Sequence, residues 1–302
     1  MRDLVGYGRN RPNPLWPGDA RVAVNITIAV EEGAEESLLD GFEQSEAPLT
    51  DVGGAGDEVP GRDLTAESAM AYGSRVGFWR LQRLLEERGV PATIAACAMA
   101  LERNPQIAVH SRFAGYDLLG HGWRHTRQYL LDEESEREQL GLALASFRST
   151  WGETPQGWLS RYAPSERTRE ILAENGFLYD SDAYDDELPY WTEAAGRRHL
   201  VIPHTLANDD AAYATGRWAT GEHAFTHLRD AFDTMYAEGE RAPGMLTVHL
   251  HPRLSGHPAR SGAVARFLDH VLAHERVWVA RRIDIARHWF STFPPEMSRS
   301  MR

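Results

Sequence analysis

A single cysteine, Cys97, stands in 302 residues, so no internal disulfide is possible and a reducing compartment fits. Long apolar runs are missing as well. None approaches the roughly 20 residues that span a bilayer, and Met1 to Gly18 holds no apolar signal core. A cytoplasmic protein is the expectation. Positive charge is in deficit: 32 Lys and Arg against 44 Asp and Glu give a formal −12. That balance argues against a broad phosphate-backbone footprint, and neither nucleic acid nor membrane is expected as a partner. The 13 histidines soften the charge only modestly near neutral pH. Internal repeats and low-complexity tracts are lacking, apart from a frayed tail at Ser298 to Arg302.

What is present is a globular composition, 42% hydrophobic and 25% charged, enough for one large core. One domain over 1–302 is expected, with an N-terminal arm over 1–20 and an inserted loop over 34–63. Val22, Val24, Ile26, Ile28 and Val30 alternate with smaller or polar residues, the period of a strand, and Glu31-Glu32-Gly33 ends it. The Gly- and acid-rich stretch Ala34 to Asp63 shows no periodicity. A loop that long in a compact domain is more often a lid or an oligomer contact than slack. Tyr72 to Glu87 reads as a helix with Val76, Trp79, Leu81 and Leu84 inward, stopped by Gly89. Asp132 to Trp151 reads as an amphipathic helix with an N-cap aspartate, and Ser165 caps another ending near Gly176. Further helices fall at Glu222 to Glu238, Ser261 to His274 and Asp284 to Ser291. Short strands are expected at Ala92 to Ala98, Tyr116 to Gly120, Gly157 to Ser160, Phe177 to Asp180, His199 to Pro203, Met245 to Leu250 and Arg276 to Ala280. Strands alternating with helices imply an α/β fold, a parallel sheet closed or nearly closed into a barrel. Chemistry in such barrels sits at the C-terminal strand ends.

Residues suited to chemistry gather at those ends. His121-Gly122-Trp123-Arg124-His125 puts two imidazoles four residues apart, close enough to share one ion. With a carboxylate from Glu31-Glu32 they make a three-ligand site that leaves a position for water, the layout of catalytic zinc. The donor set does not exclude other divalent ions. The bland alternatives are two solvated acids before a glycine turn and histidines paired by chance. Position at strand ends weighs against them. His251 lies where a strand breaks off before Pro252 and suits protonation of a departing nitrogen; His249 reads as a core or supporting residue. Arg161 suits orienting an acid or a carbonyl, or pairing with a surface carboxylate. Asp180 to Asp186 is calcium-like in composition but lacks the spacing of a calcium loop, and reads as pocket edge. Asn208-Asp209-Asp210 reads as a turn.

Taken together, these residues resemble the polysaccharide-deacetylase (NodB-homology) superfamily, and within it the allantoinases of polysaccharide-deacetylase type. The resemblance runs from Arg2-Asp3-Leu4-Val5-Gly6-Tyr7-Gly8 and Trp16-Pro17-Gly18 to Arg281-Arg282-Ile283-Asp284. Between lie Glu31-Glu32-Gly33, Tyr72-Gly73-Ser74-Arg75, His121-Gly122-Trp123-Arg124, Tyr179-Asp180-Ser181-Asp182 and Leu188-Pro189-Tyr190-Trp191. It implies a distorted (β/α) barrel and hydrolysis of amide-type C–N bonds. Two departures stand out. The deacetylases carry a double aspartate where Glu31 and Glu32 stand, and the allantoinase-like branch usually has tryptophan in place of the second histidine, which His125 restores.

Carried across residue by residue, the resemblance implies Glu32, His121 and His125 as ligands of a divalent metal, zinc first, with Glu31 as base. It implies Arg161 as the orienting residue and His251 as acid, and Trp123, Asn208 and Asp209 on the substrate. A small cyclic amide, ureide or imide is the implied substrate, and a homotetramer the implied assembly. The rival readings are an N-deacetylase of N-acetylated sugars and a catalytically silent binder of a small metabolite. The 34–63 loop and the N-terminal arm are expected to close over the pocket.

Overall fold

The computed structural model describes residues 3–51 and 59–295, so the tail at Ser298 to Arg302 lies outside the described residues. In chain order the strands are β1 (Val22–Val30), β2 (Thr93–Ala96), β3 (Asp117–Gly120), β4 (Gly157–Trp158), β5 (Tyr179–Asp180), β6 (Tyr190–Ala194), β7 (Arg197–Val201), β8 (Gly244–Leu250) and β9 (Val277–Val279). The helices are α1 (Leu64–Tyr72), α2 (Phe78–Glu86), α3 (Ala98–Arg103), α4 (Pro105–Phe113), α5 (Glu133–Thr150), α6 (Thr168–Glu174), α7 (Gly221–Glu238), α8 (Pro252–Ser255), α9 (Pro258–Leu272) and α10 (Arg282–Thr292).

One sheet runs in the order β6-β7-β5-β4-β3-β2-β1-β8, with β9 added to the start of β1. Every pairing is parallel except the β6–β7 hairpin. The sheet curls into a half-barrel surrounded by helices, the expected distorted (β/α) barrel. Its end strands are β6 and β8, and β8 forms no strand pairing with β6 or β7. Across that seam a single parallel bridge joins Asp209 to His249, and the His249 amide donates to the Asn208 carbonyl (3.1 Å).

Alternation along β1 sorts the two sides of the sheet. Val22, Val24, Ile26, Ile28 and Val30 pack in the outer cluster with Phe78, Leu81 and Leu85 of α2 and Phe267 and Leu268 of α9. Ala23 packs inside with Ala95, Leu119, Tyr179, Leu200 and Met245. The inward positions above it, Asn25 and Thr27, are polar and fully buried.

The expected long helix from Tyr72 proves to be three pieces. The α1 helix starts earlier, at Leu64, capped by Asp63. A π-helical turn over Gly73–Gly77 then leads into α2, leaving Val76 exposed and turning Phe78 inward. Trp16 donates its indole N–H to the Gly244 carbonyl and packs against Trp278 and Trp289. This part of the arm therefore seals the N-terminal end of the sheet and does not cover the pocket.

Candidate active site

Glu31 directly follows β1 and keeps its inward parity. His121 and His125 lie in the loop after β3, where Gly122 (φ +108°) turns the chain and a Cβ would strike the Arg124 carbonyl. Both imidazoles reach the same oxygen: His121 Nε2 and His125 Nε2 each lie 3.3 Å from Glu31 Oε1. His121 Nδ1–H donates to the Leu159 carbonyl (2.5 Å), which fixes the proton there and turns the Nε2 lone pair on Glu31. Burial pushes His125 down to about 4 against the pull of Glu31, so its ring is neutral at pH 7. Burial opposes ionisation of Glu31, yet His125, Arg253 and His251 hold its carboxyl well below the usual range.

Two imidazole nitrogens and a carboxylate this close repel unless a cation lies between them. Ligands about 2.0–2.1 Å from a tetrahedral ion stand about 3.3 Å apart, which is the spacing here. The group therefore fits a divalent metal ion.

The sequence reading puts Glu32 with the histidines and leaves Glu31 free as base; in the structure Glu31 stands beside the histidines and Glu32 lies against Arg253 and Gly73. Glu32 takes the outward parity. Its Oε1 accepts from the Arg253 amide (3.2 Å) and its Oε2 from the Glu31 amide (3.3 Å), and a Cβ on Gly73 would collide with it. Burial pushes its carboxyl up to about 7 against Arg253, with Glu31 adding to the rise. Glu31 has no idle oxygen, because Oε2 takes the Arg253 Nη1 donor at 2.7 Å.

His251 caps the end of β8. Its Nδ1 lies 2.6 Å from Asp210 Oδ1, and its amide donates to both Asp210 oxygens (3.0 and 2.9 Å). Its Nε2 faces Glu31 Oε1 at 3.5 Å. Burial disfavours the imidazolium, but Glu31 and Asp210 raise its pKa well above the ordinary value.

Three other expectations are redirected. Arg161 touches neither Glu31 nor His251: it donates to the His125 carbonyl (2.5 Å) and pairs with Glu46 and, at 3.4 Å, Glu36. It pins the 34–51 segment against the histidine loop. Trp123 turns away between the two histidines, its indole donating to Glu102 of α3 (3.2 Å). Asp180 pairs with Arg169 and His199, and Asp182 accepts from Ser160, so that segment braces the Arg161 loop. Asn208 and Asp209 lie on the β7–β8 seam, Asp209 beside His249 (3.3 Å) and His251 (3.7 Å).

Sequence reasoning missed Arg253, Asp210 and Glu46. Arg253 follows His251-Pro252 directly, and Asp210 ends the acidic turn Asn208-Asp209-Asp210, so both had a signal in the company they keep. Glu46 had none in an acid-rich loop.

The profile of the polysaccharide deacetylase family matches residues 71–179. A Schizosaccharomyces pombe protein named "Putative polysaccharide deacetylase" is 34% identical over 97% of this chain and 98% of its own length. The chain belongs to the polysaccharide deacetylase family. Two crystal structures agree over the whole fold, each with a TM-score of 0.93. One, from Pseudomonas aeruginosa PAO1, is titled "probable Polysaccharide deacetylase" (44% identity; 97% of this chain, 99% of that one). The other is PuuE allantoinase (43% identity; 97% and 98%). The protein is thus an enzyme, a hydrolase of carbon–nitrogen bonds, and the silent-binder reading falls. Among the described residues no helix is long and apolar enough to cross a membrane.

Proposed function

We propose that this single catalytic domain, over 1–302, opens a small cyclic amide, ureide or imide by hydrolysis. The observation that carries the reading is the roofed site. Glu31, His121, His125 and His251 converge within 3.3–3.5 Å beneath a segment pinned by Glu46 to Arg161 and by the Leu49 carbonyl to Arg253. Such a roof suits a compact ring better than a glycan chain, which needs an open groove. A divalent ion held by Glu31, His121 and His125, zinc by its two-nitrogen, one-oxygen donor set, would supply Lewis-acid polarisation of the carbonyl. Glu31 and Glu32 are both tied down, so proton transfer is assigned to His251, held in orientation by Asp210. His251 Nε2–H stands ready to protonate the departing nitrogen, which cannot leave as an amide anion, and the neutral imidazole so formed takes up the proton that the added water releases, which restores the imidazolium. Arg253 fixes the Glu31 carboxylate, and Arg161 fixes the His125 loop. A cytoplasmic homotetramer completes the proposal.

The second reading, N-deacetylation of sugars, is favoured by the family and by the 44% identical Pseudomonas relative. A hydrolysis panel with added zinc separates them: allantoin, hydantoins, dihydropyrimidines, succinimide-type imides and N-acetylglucosamine oligomers. Ring opening is the expected outcome. Acetate release from the oligomers alone establishes the deacetylase instead.

A further inference from the structure

Beside the reaction centre lies a second group of buried histidines that the assigned chemistry does not use. His204 follows β7, and its Nδ1 accepts a hydrogen bond from Arg282 Nη2 (2.9 Å). A guanidinium only donates, so neutral His204 must carry its ring proton on Nε2, on the far side of the ring. Arg282 is fully buried and cannot swing away: it also donates to Ser181 Oγ (2.8 Å) and the Ile202 carbonyl (3.3 Å).

His249 is the mirror case. Its Nδ1 faces Asp209 Oδ2 at 3.3 Å. Burial opposes ionisation of Asp209, but His249 and His251 hold it well below the usual range, so the carboxylate accepts and Nδ1 donates. The lone pair of His249 is thereby left on Nε2, which is buried and has no hydrogen-bond partner. Burial keeps both rings neutral, with Arg282 also acting on His204 and Asp209 pulling His249 the other way.

His204, Asp209 and His249 place donor-type atoms within 4.8 Å of one another, as a metal cage would. Arg282 rules that out for His204 Nε2, which bears a proton. What remains is one fixed N–H donor and one fixed acceptor, on rings 4.8 Å apart. The His249 ring is also 4.8 Å from His251, so the pair abuts the proton-transfer residue. His204, Asn208 and Thr247 line a cavity of about 560 Å³ between α7 and the β7–β8 seam, which leaves room for a ligand on the His204 side of the pair.

We propose that His204 and His249 form a donor–acceptor subsite for a second amide or ureide unit of the substrate, His204 Nε2–H binding its carbonyl oxygen and His249 Nε2 taking its adjacent N–H. A primary amide, a ureido group and a lactam all present that pair on one edge. The inference rests on the C–N hydrolase reading above and narrows its substrate to molecules with two such units.

The experiment has two arms. Long-range ¹⁵N NMR of the whole protein reads the tautomers, with protons expected on Nε2 of His204 and Nδ1 of His249. Kinetics and binding then compare wild type, His249→Phe and His249→Gln, since Gln restores an acceptor. Substrates are hydantoin, with the ring alone, and allantoin, with the ring and a ureido arm; methylurea affinity is followed by saturation-transfer NMR, which needs no turnover. The Phe variant should lose about 10-fold more on allantoin than on hydantoin, mainly through KM, and should weaken methylurea about 10-fold. The Gln variant should recover most of both. Equal losses on the two substrates, unchanged methylurea affinity, or a proton on His249 Nε2 each overturn the subsite. Methylurea binding lost in the Phe variant without ring opening by wild type removes the reaction reading and leaves the subsite standing.

Discussion

At the scale of single residues, the site depends on charges that each satisfy more than one partner. The chain contains no lysine, so every fixed cation is a planar guanidinium. Arg253 uses that shape: one group reaches Glu31 Oε2, while its Nε donates to the Leu49 carbonyl (2.7 Å) and so holds the roof. Asp210 works in the same manner on the anionic side, accepting from the His251 ring, the His251 amide and the Ser255 amide (3.2 Å). Asp210→Asn keeps the size but offers an NH₂ group where the His251 ring needs an acceptor. The imidazole then turns to the wrong tautomer or loses its orientation. The variant is expected to fold, shown by an unchanged circular dichroism spectrum, and to lose kcat by roughly 10²–10⁴-fold. Retention of near wild-type kcat would show that His251 needs no orienting acid.

The placement of Glu31 beside the histidines was legible in the sequence. Residues 23, 25, 27 and 29 face inward, so 31 continues that parity and 32 breaks it. The resemblance to a double-aspartate family pulled the reading the other way. Arg161 went astray for a different reason: its partners lie in a loop more than a hundred residues away, with no periodicity to place it.

At the scale of elements, close approach of backbones decides how the π-helical turn is built. Gly73 and Gly77 let it lie against Glu32 and Pro252, and a Cβ at either would meet the 252–256 backbone or the Glu32 carboxylate. The inserted residue of a π turn is where a helix re-aims its side chains, commonly next to a functional site. Gly73→Ala should therefore cost about 1–3 kcal/mol by overpacking. Gly141, exposed within α5 with nothing near its Cβ position, supplies the control. Gly141→Ala should gain about 0.4–1 kcal/mol. Urea melts of the two variants measure the contrast; equal effects would mean that the approach to Glu32 is loose. Elements with strong periods, β1, α5 and α7, were read to within a residue or two of their ends. The short α3 and α4 and the β6 strand were not, because six to nine residues carry too few turns of a period, and β6 sits in a polar hairpin.

At the scale of the whole molecule, the unusual feature is a polar interior beneath the site. Arg282 sits inside the curled sheet with neutral acceptors around it, and burial pushes it down to about 10. Asp117 shares that interior. Its Oδ2 accepts from the Ile283 amide (3.2 Å), and the Thr93 hydroxyl also bonds the carboxyl. Burial pushes the Asp117 carboxyl up to about 6 from 3.8. The sign follows directly. The folded chain holds this proton to a higher pH than the unfolded chain, so stability falls as pH rises from about 4 to about 6. The full difference is about 3 kcal/mol. Asp117→Asn stays neutral throughout and keeps an oxygen for the Ile283 amide. Its melting temperature relative to wild type should therefore be several degrees higher at pH 8 than at pH 5. The competing effect is Arg282, which loses a nearby anion in the variant. If that attraction outweighs the burial of the carboxylate, the order inverts and the variant is weaker at pH 8 than at pH 5. Thermal melts at the two pH values therefore decide whether Asp117 is a cost of the fold or the counter-charge that lets Arg282 hold His204 in place.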